Sequence, residues 1–395
     1  MNFLTKPLIM VCLFAILAGC SQHEAYRDIR PEHWTWWGAD MDKVEAAFER
    51  IQANTSRTHH WDKGQINKPG KWIYEFTRLG EQTEQAAKEA ERQNRIQDAI
   101  KLYDEASIYY GFAKYPHINP TKAEDDAMRK QWETYLKSFA LEGYAVERLE
   151  TMLFGQPVYG YLHLPKLATP QPYPVVVGAN GLDVLGAESA PLIHDLLNRG
   201  IAVVITDIPG TGINRRVALN ADFEQLWVRL YDVVSQDSRI DANQAGAFGI
   251  SFAGNAAAKL ALVHPDKFKA VANICGPLHA VFEIQAGQLS EVEPMNLDAL
   301  VDRMHLPDAH PKRIAREVKQ FSLVRQGILD ENTKTPTAVV SLNTNNDPIA
   351  PPSDMELITN ASAEGSIIWS GSDDHCPQFR QRDMPKIAAF FDLHL

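Results

Sequence analysis

Positive charge is in short supply in this chain. Against 50 Asp and Glu stand 39 Lys and Arg, a formal net charge of −11, with a pI near 5.6. No basic stripe relieves the deficit. Binding to a polyanion draws on clustered Lys and Arg that release counterions, so no nucleic-acid partner is expected. Internal repeats and low-complexity tracts are also missing. Cysteine is sparse, at 4 in 395 residues. What remains is a globular composition, 45% hydrophobic and 23% charged, neither disordered nor wholly membrane-embedded. The length exceeds one average domain of roughly 100–200 residues, so one large domain or a main domain with a second module is expected.

The N-terminus reads as a targeting segment. Met1 to Lys6 carries a single positive charge, Pro7 to Ala18 is an apolar run too short to span a membrane comfortably, and Leu17-Ala18-Gly19-Cys20 closes it with small residues. That tetrad resembles the bacterial lipobox, in which the cysteine becomes the lipid-modified first residue of the mature chain. Residues 1–20 are therefore expected to be a signal peptide, with Cys20 lipidated. Ser21 in place of Asp points to the outer membrane, facing the periplasm. Membrane contact is then through the anchor. With Cys12 lost in the signal and Cys20 in the lipid, Cys275 and Cys376 remain. A disulfide in an oxidising periplasm and two separate buried thiols both stay open, because sequence does not give the Cα distance a bridge needs.

Residues 24–141 have helical periodicity. Ile96, Ala99, Ile100, Tyr103, Ala106, Ser107 and Tyr110 recur at three- and four-residue spacing, the mark of an amphipathic helix. Trp34, Trp37, Trp61, Trp72, Phe76, Tyr109, Phe112 and Tyr115 are expected chiefly to pack between helices, with a pocket-lining role open for some. From Gly143 the period changes. Residues 146–154 and 158–164 read as a hairpin. Apolar strands at 173–177, 201–206, 246–249, 268–274, 337–342 and 366–369 then alternate with helices at 190–198, 226–235, 254–263 and 385–393. Such alternation predicts an α/β fold, a mostly parallel sheet covered on both faces. Residues 143–395 would form that domain, 24–141 a helical cap, and 278–334 an excursion too long for an ordinary connection.

Within it, Gly249-Ile250-Ser251-Phe252-Ala253-Gly254 joins a strand to an Ala-rich helix. A nucleophile elbow needs small residues on either side of its serine, where backbone segments crowd together, although Ala253 stands where a second glycine is usual. Ser251 would serve equally well as a plain N-cap. Its partners favour catalysis. A serine hydroxyl needs a base, and the base an orienting acid, in the chain order Ser, Asp or Glu, His. Asp347 follows the strand at 337–342 in a Pro-bounded turn, and His375 lies between the last strand and the closing helix. Asp373 and Asp374 are alternative acids, awkwardly adjacent to His375. The oxyanion donors are expected to be the backbone N–H of Phe252 and that of Leu182 in the loop after the first parallel strand, with Gly181 the alternative. Asp183 is assigned to organising that turn. Gly210-x-Gly212 is a weak phosphate signal that more readily shapes the rim, with Arg215 and Arg216 beside it. No metal or organic cofactor is needed for such chemistry.

From Tyr173 onward, Gly181-Leu182-Asp183, Thr206-Asp207-Ile208-Pro209, the elbow with Asn255, Lys269-Ala270-Val271-Ala272, Gly276-Pro277-Leu278-His279 and Phe321-Ser322-Leu323 with Gln326-Gly327 resemble the FrsA-like esterases of the α/β-hydrolase superfamily. Trp72-Ile73-Tyr74-Glu75-Phe76 and Ala113-Lys114-Tyr115-Pro116-His117 are similar to the dihydroxy-pseudooxynicotine hydrolase group, which hydrolyses C–C bonds of β-diketone-like side chains beneath a helical cap. Some FrsA-like proteins lack the elbow serine and final-loop histidine; here both stand. The resemblance implies a serine hydrolase acting on a small-molecule ester or acyl substrate. Its alternatives are a C–C hydrolase and a non-catalytic binding lipoprotein on the same fold. A lipoprotein signal departs from the cytoplasmic members. Oligomeric state is left open, a homodimer being one option.

Overall fold

The computed structural model describes residues 30–54, 68–115, 121–166, 170–306, 308–372, 374–378 and 380–395. The expected signal segment with Cys12 and Cys20, together with Trp61, Pro116, His117 and Asp373, lies outside the described residues.

Among the described residues five helices come first: α1 (Pro31–Trp37), α2 (Met41–Gln52), α3 (Trp72–Arg92), α4 (Ile96–Ala113) and α5 (Lys122–Glu142). Sequence marks some of their ends. Asp40 accepts the Asp42 N–H at the start of α2, and Thr121 Oγ1 accepts the Glu124 N–H at the start of α5. An antiparallel hairpin follows, β1 (Ala145–Leu153) and β2 (Gln156–Leu164). Then β3 (Tyr173–Ala179), β4 (Ala202–Thr206), β5 (Ile240–Ile250), β6 (Ala270–Ile274), β7 (Ala338–Thr344) and β8 (Gly365–Ser370) run parallel. Helices α6 (Ala190–Asn198), α7 (Gln225–Val234), α8 (Phe252–Val263), α9 (Pro294–Arg303), α10 (Pro311–Glu317), α11 (Pro352–Ala361) and α12 (Arg380–His394) intervene or close the chain. The sheet order is β1-β2-β4-β3-β5-β6-β7-β8. From β3 the chain moves to one side for β4 and returns past it for β5. Loops leaving the carboxyl ends of β3 and β5 therefore diverge, and a crevice opens between them.

Successive strand residues face opposite sides. Val175, Val177 and Val204 pack with α7, α8 and the excursion, whereas Val176, Val203 and Ile205 pack with α6, α12 and the helical module. Met128, Trp132, Tyr135 and Phe139 of α5 belong to that second core. At the expected boundary of 141–143 the chain passes from α5 to the following strand, and α5 packs in the same core as the sheet. Trp34, Trp37, Trp72, Phe76, Tyr109, Phe112 and Tyr115 pack in one cluster, the role expected of them, and Phe48 joins them there.

One buried ion pair ties the module to the sheet. Lys114 Nζ donates to Glu188 Oε1 at 2.7 Å, with both side chains 0% exposed, and also to Gly111 O at 2.8 Å. Glu188 Oε2 accepts the Leu185 N–H at 2.6 Å, in the turn after β3. Removing one partner leaves an uncompensated buried charge. Lys114→Met is therefore expected to cost about 3–5 kcal/mol in urea unfolding, and Lys114→Met with Glu188→Leu to recover most of it. Equal stability of Lys114→Met and wild type would refute this.

One boundary differs from the expectation, and one alternative left open by the sequence is decided. The closing helix begins at Arg380 and carries Pro385 inside it. Buried Met384, Ile387, Ala388 and Phe391 anchor that helix on the sheet, which outweighs the missing N–H. Cys275 and Cys376 are joined in a disulfide with Cα atoms 5.1 Å apart, because the ends of β6 and the β8–α12 loop converge.

Candidate active site

Strand β5 ends at Ile250 and α8 begins at Phe252, so the whole reversal falls on Ser251. Its φ of 54° and ψ of −129° lie in a region that non-glycine residues adopt only when held. A Cβ on Gly249 would collide with the Ala253 carbonyl, which explains the glycine two residues before the serine. Ser251 occupies the N-cap position, yet its side chain makes no capping hydrogen bond. Its Oγ lies 2.8 Å from His375 Nε2 instead.

Behind the imidazole, Nδ1 stands 3.0 Å from both Asp347 oxygens. A carboxylate only accepts, so the ring hydrogen sits on Nδ1 and the Nε2 lone pair faces the serine hydroxyl. Asp347 is buried and also accepts N–H bonds from Ile349 and Ala350 at 2.8 Å and from Cys376 at 3.1 Å. Burial alone would raise its carboxyl. The charge and hydrogen bond of His375, with the backbone donors, outweigh that and hold it below the usual range. Asp374 turns away, accepting from Gln378 Nε2 at 2.7 Å.

Gly181 and Leu182 leave β3 beside the elbow. A Cβ on Gly181 would come within 2.8 Å of Ser251 Cβ and 3.1 Å of the Phe252 nitrogen, so only glycine lets the two loops approach this closely. Phe252 N–H opens α8, where the first amides have no carbonyl four residues back. Its ring is locked by Phe223, Phe282 and Phe321, at centroid distances of 5.6, 5.9 and 5.0 Å. Two contacts that the sequence does not signal hold the Leu182 loop. Arg303 of α9, fully buried, donates from Nε to Leu182 O at 3.1 Å. Tyr115 of the helical module donates to Asp183 O at 2.8 Å and lies 3.1 Å from Asp183 Oδ2. No local motif marks Arg303, and the segment that carries Tyr115 signals a resemblance and a packing role rather than this contact, since both residues act across the fold.

A cavity of about 760 Å³ opens over Ser251 and His375. Its apolar wall is drawn from the excursion, including Val281, Phe282, Ile284, Leu289, Val292 and Leu297. Among the described residues the helical segment contributes Arg30, which donates to His375 O at 3.2 Å. The Gly210-x-Gly212 turn lies elsewhere. Asp207 fills it, accepting from Gly186 N–H, Ile213 N–H and Trp132 Nε1, and Arg215 pairs with Asp125. Sγ atoms of Cys275 and Cys376 and a ring nitrogen of His375 fall within 4.8 Å of one another, but the two sulfurs are bonded together.

The family model for Esterase FrsA-like proteins matches residues 6–383. The chain belongs to the FrsA-like esterase family. Esterase FrsA of Vibrio cholerae serotype O1 shares 32% identity over 345 residues, covering 86% of this chain and 81% of that protein. The Esterase FrsA of Photobacterium profundum shares 28% over 356 residues, 89% and 84% of the two chains. Among solved structures, 2,6-dihydroxy-pseudo-oxynicotine hydrolase superposes with a TM-score of 0.73 at 19% identity, covering 92% of this chain and 95% of that one. AbyA5 does so with a TM-score of 0.65 at 21% identity, covering 90% and 98%. These likenesses show the α/β-hydrolase fold, on which this FrsA-like chain carries its serine, histidine and aspartate.

Proposed function

We propose that the protein is a serine hydrolase cleaving small-molecule carboxylic esters through an acyl-enzyme. The observation that carries this is the unbroken line Ser251 Oγ, His375 Nε2, His375 Nδ1, Asp347, with its serine end at the cavity. Ser251 Oγ attacks the ester carbonyl as His375 Nε2 takes its proton. Negative charge moves to the carbonyl oxygen, held by the N–H groups of Phe252 and Leu182, with Gly181 the alternative donor. The intermediate collapses, His375 returns the proton to the leaving alkoxide, and water deprotonated by His375 releases the acid. Asp347 keeps the ring in the required tautomer and stabilises the imidazolium. A 1,3-diketone would meet the same groups; the esterase character of the family favours the ester.

A fluorophosphonate probe tests this. Covalent labelling of wild type, absent in Ser251→Ala, is expected; well-folded wild type that stays unlabelled returns the protein to a binding role.

We propose as well, from Leu17-Ala18-Gly19-Cys20, that the protein lies in the cell envelope, anchored through lipid on Cys20 and facing the periplasm. A disulfide between Cys275 and Cys376 supports an oxidising compartment. Metabolic palmitate labelling that persists in Cys20→Ala would contradict the anchor.

A further inference from the structure

We propose that the Cys275–Cys376 disulfide is a positioning element for His375, making the disulfide form the fast hydrolase and the dithiol form the slow one. This rests on the Ser251–His375 reading above.

The bridge closes a short circuit around the reacting groups. Ser251 N–H donates to Ile274 O at 2.8 Å. Cys275 is the next residue along the chain, and its own N–H donates to Leu342 O, also at 2.8 Å. Leu342 belongs to β7, whose following loop presents Asp347. Across the S–S bond, Cys376 directly follows His375 and donates its N–H to Asp347 Oδ2 at 3.1 Å. Each triad member is thus one or two links from the same covalent bond.

Backbone conformation adds a second reason. Cys275 has a φ of 51° and Cys376 a φ of 65°, both in the left-handed region that a β-carbon disfavours. A residue remains there when its surroundings over-determine it. Cys376 is held on one side by Asp347 and on the other by Cys275, with both cysteines buried. Other described bonds on this loop are Thr344 Oγ1 to Asp374 O at 2.9 Å, Arg30 to His375 O at 3.2 Å, Gln378 Nε2 to Asp374 Oδ2 at 2.7 Å, Gln378 N–H to Ser372 Oγ at 3.4 Å and Arg380 Nε to Pro377 O at 3.4 Å. None of these meets an atom of Cys376 itself, whose described partners are Asp347, the Cys275 sulfur and, 3.6 Å from its own sulfur, His375 Nε2. With the bridge open, Cys376 can relax toward negative φ, and the His375 ring moves with the peptide they share. A displacement of about 1 Å between reacting groups can cost about 10²-fold in rate.

Two preparations test this. In one, the wild-type protein is reduced with a water-soluble phosphine. The S–S bond takes two electrons, water supplies two protons to the thiols and its oxygen to the phosphine oxide, and thiol titration verifies the product. In the other, Cys275→Ser and Cys376→Ser are combined. Rates on p-nitrophenyl butyrate are measured well below each form's own melting temperature. We expect kcat to fall about 10- to 100-fold with KM within about twofold, and fluorophosphonate labelling to slow in parallel. Oxidised glutathione should restore the reduced wild type and leave the Ser variant unchanged. A bridge that merely stabilised the fold would shift the melting temperature and leave kcat alone, and that result overturns the proposal. The reduced wild type decides the matter if the double variant fails to fold. Disulfide-bonded wild type that is neither labelled nor active defeats the hydrolase reading itself, whereas equal rates in both redox forms defeat this inference alone.

Discussion

Ser251→Ala is expected to lower kcat by about 10⁶-fold, His375→Ala by a similar factor, and the two together by no more than either alone. Non-additivity is the informative part. The 2.8 Å contact between Ser251 Oγ and His375 Nε2 makes the two a single device, because the hydroxyl without a base and the base without a hydroxyl are equally idle. KM should change little, since the apolar wall of residues 281–300 remains. Residual turnover about 10³- to 10⁴-fold over water would come from the oxyanion donors and substrate binding. Single-turnover kinetics on p-nitrophenyl butyrate measures all three variants. Independent, multiplying losses would mean that the two side chains act separately and would remove the basis for a common mechanism.

Asp347→Asn should reduce kcat by about 10⁴-fold with the site's geometry nearly intact. An amide can donate to Nδ1, which would move the ring hydrogen to Nε2 and turn the base away from the serine. The substitution also has a pH signature. The Asp347 carboxyl is held below its ordinary value in the folded state, so the folded chain binds fewer protons there than the unfolded chain. Its stabilising contribution is complete above the ordinary Asp value of about 3.9 and is lost as pH falls through the lower folded value. The melting temperature of wild type should therefore exceed that of Asp347→Asn by a constant margin near neutrality, and the margin should narrow below about pH 4. A margin that widened on acidification would show that the carboxyl is raised.

Much of this arrangement was legible because it is local. Alternating apolar strands mark β3, β4, β6 and β7, and the Gly249-x-Ser251 spacing marks the elbow, since steric crowding there leaves a trace in adjacent residues. Asp347 and His375 were found by chain order and their placement after strands. What escaped is non-local. Arg303 and Tyr115 reach the Leu182 loop from segments far away in sequence, and nothing beside either residue signals that errand. The disulfide stayed open for the same reason, because 101 residues separate cysteines that only the parallel order β6-β7-β8 brings together. Pro385 misled the reading of the last helix, where burial of four apolar side chains overrides a local breaker.

The cavity's composition bears on how this enzyme can diversify. The residues that would recognise an acyl chain lie mainly between 280 and 300, a stretch containing none of Ser251, Asp347 and His375. Selection can thus retune what enters without disturbing what reacts. The helical segment has no such licence: Trp132 and Lys114 are wedged into sheet packing and a dry ion pair, so drift there is checked by foldability before substrate preference comes into play. Innovation and integrity are consigned to different lengths of one polypeptide.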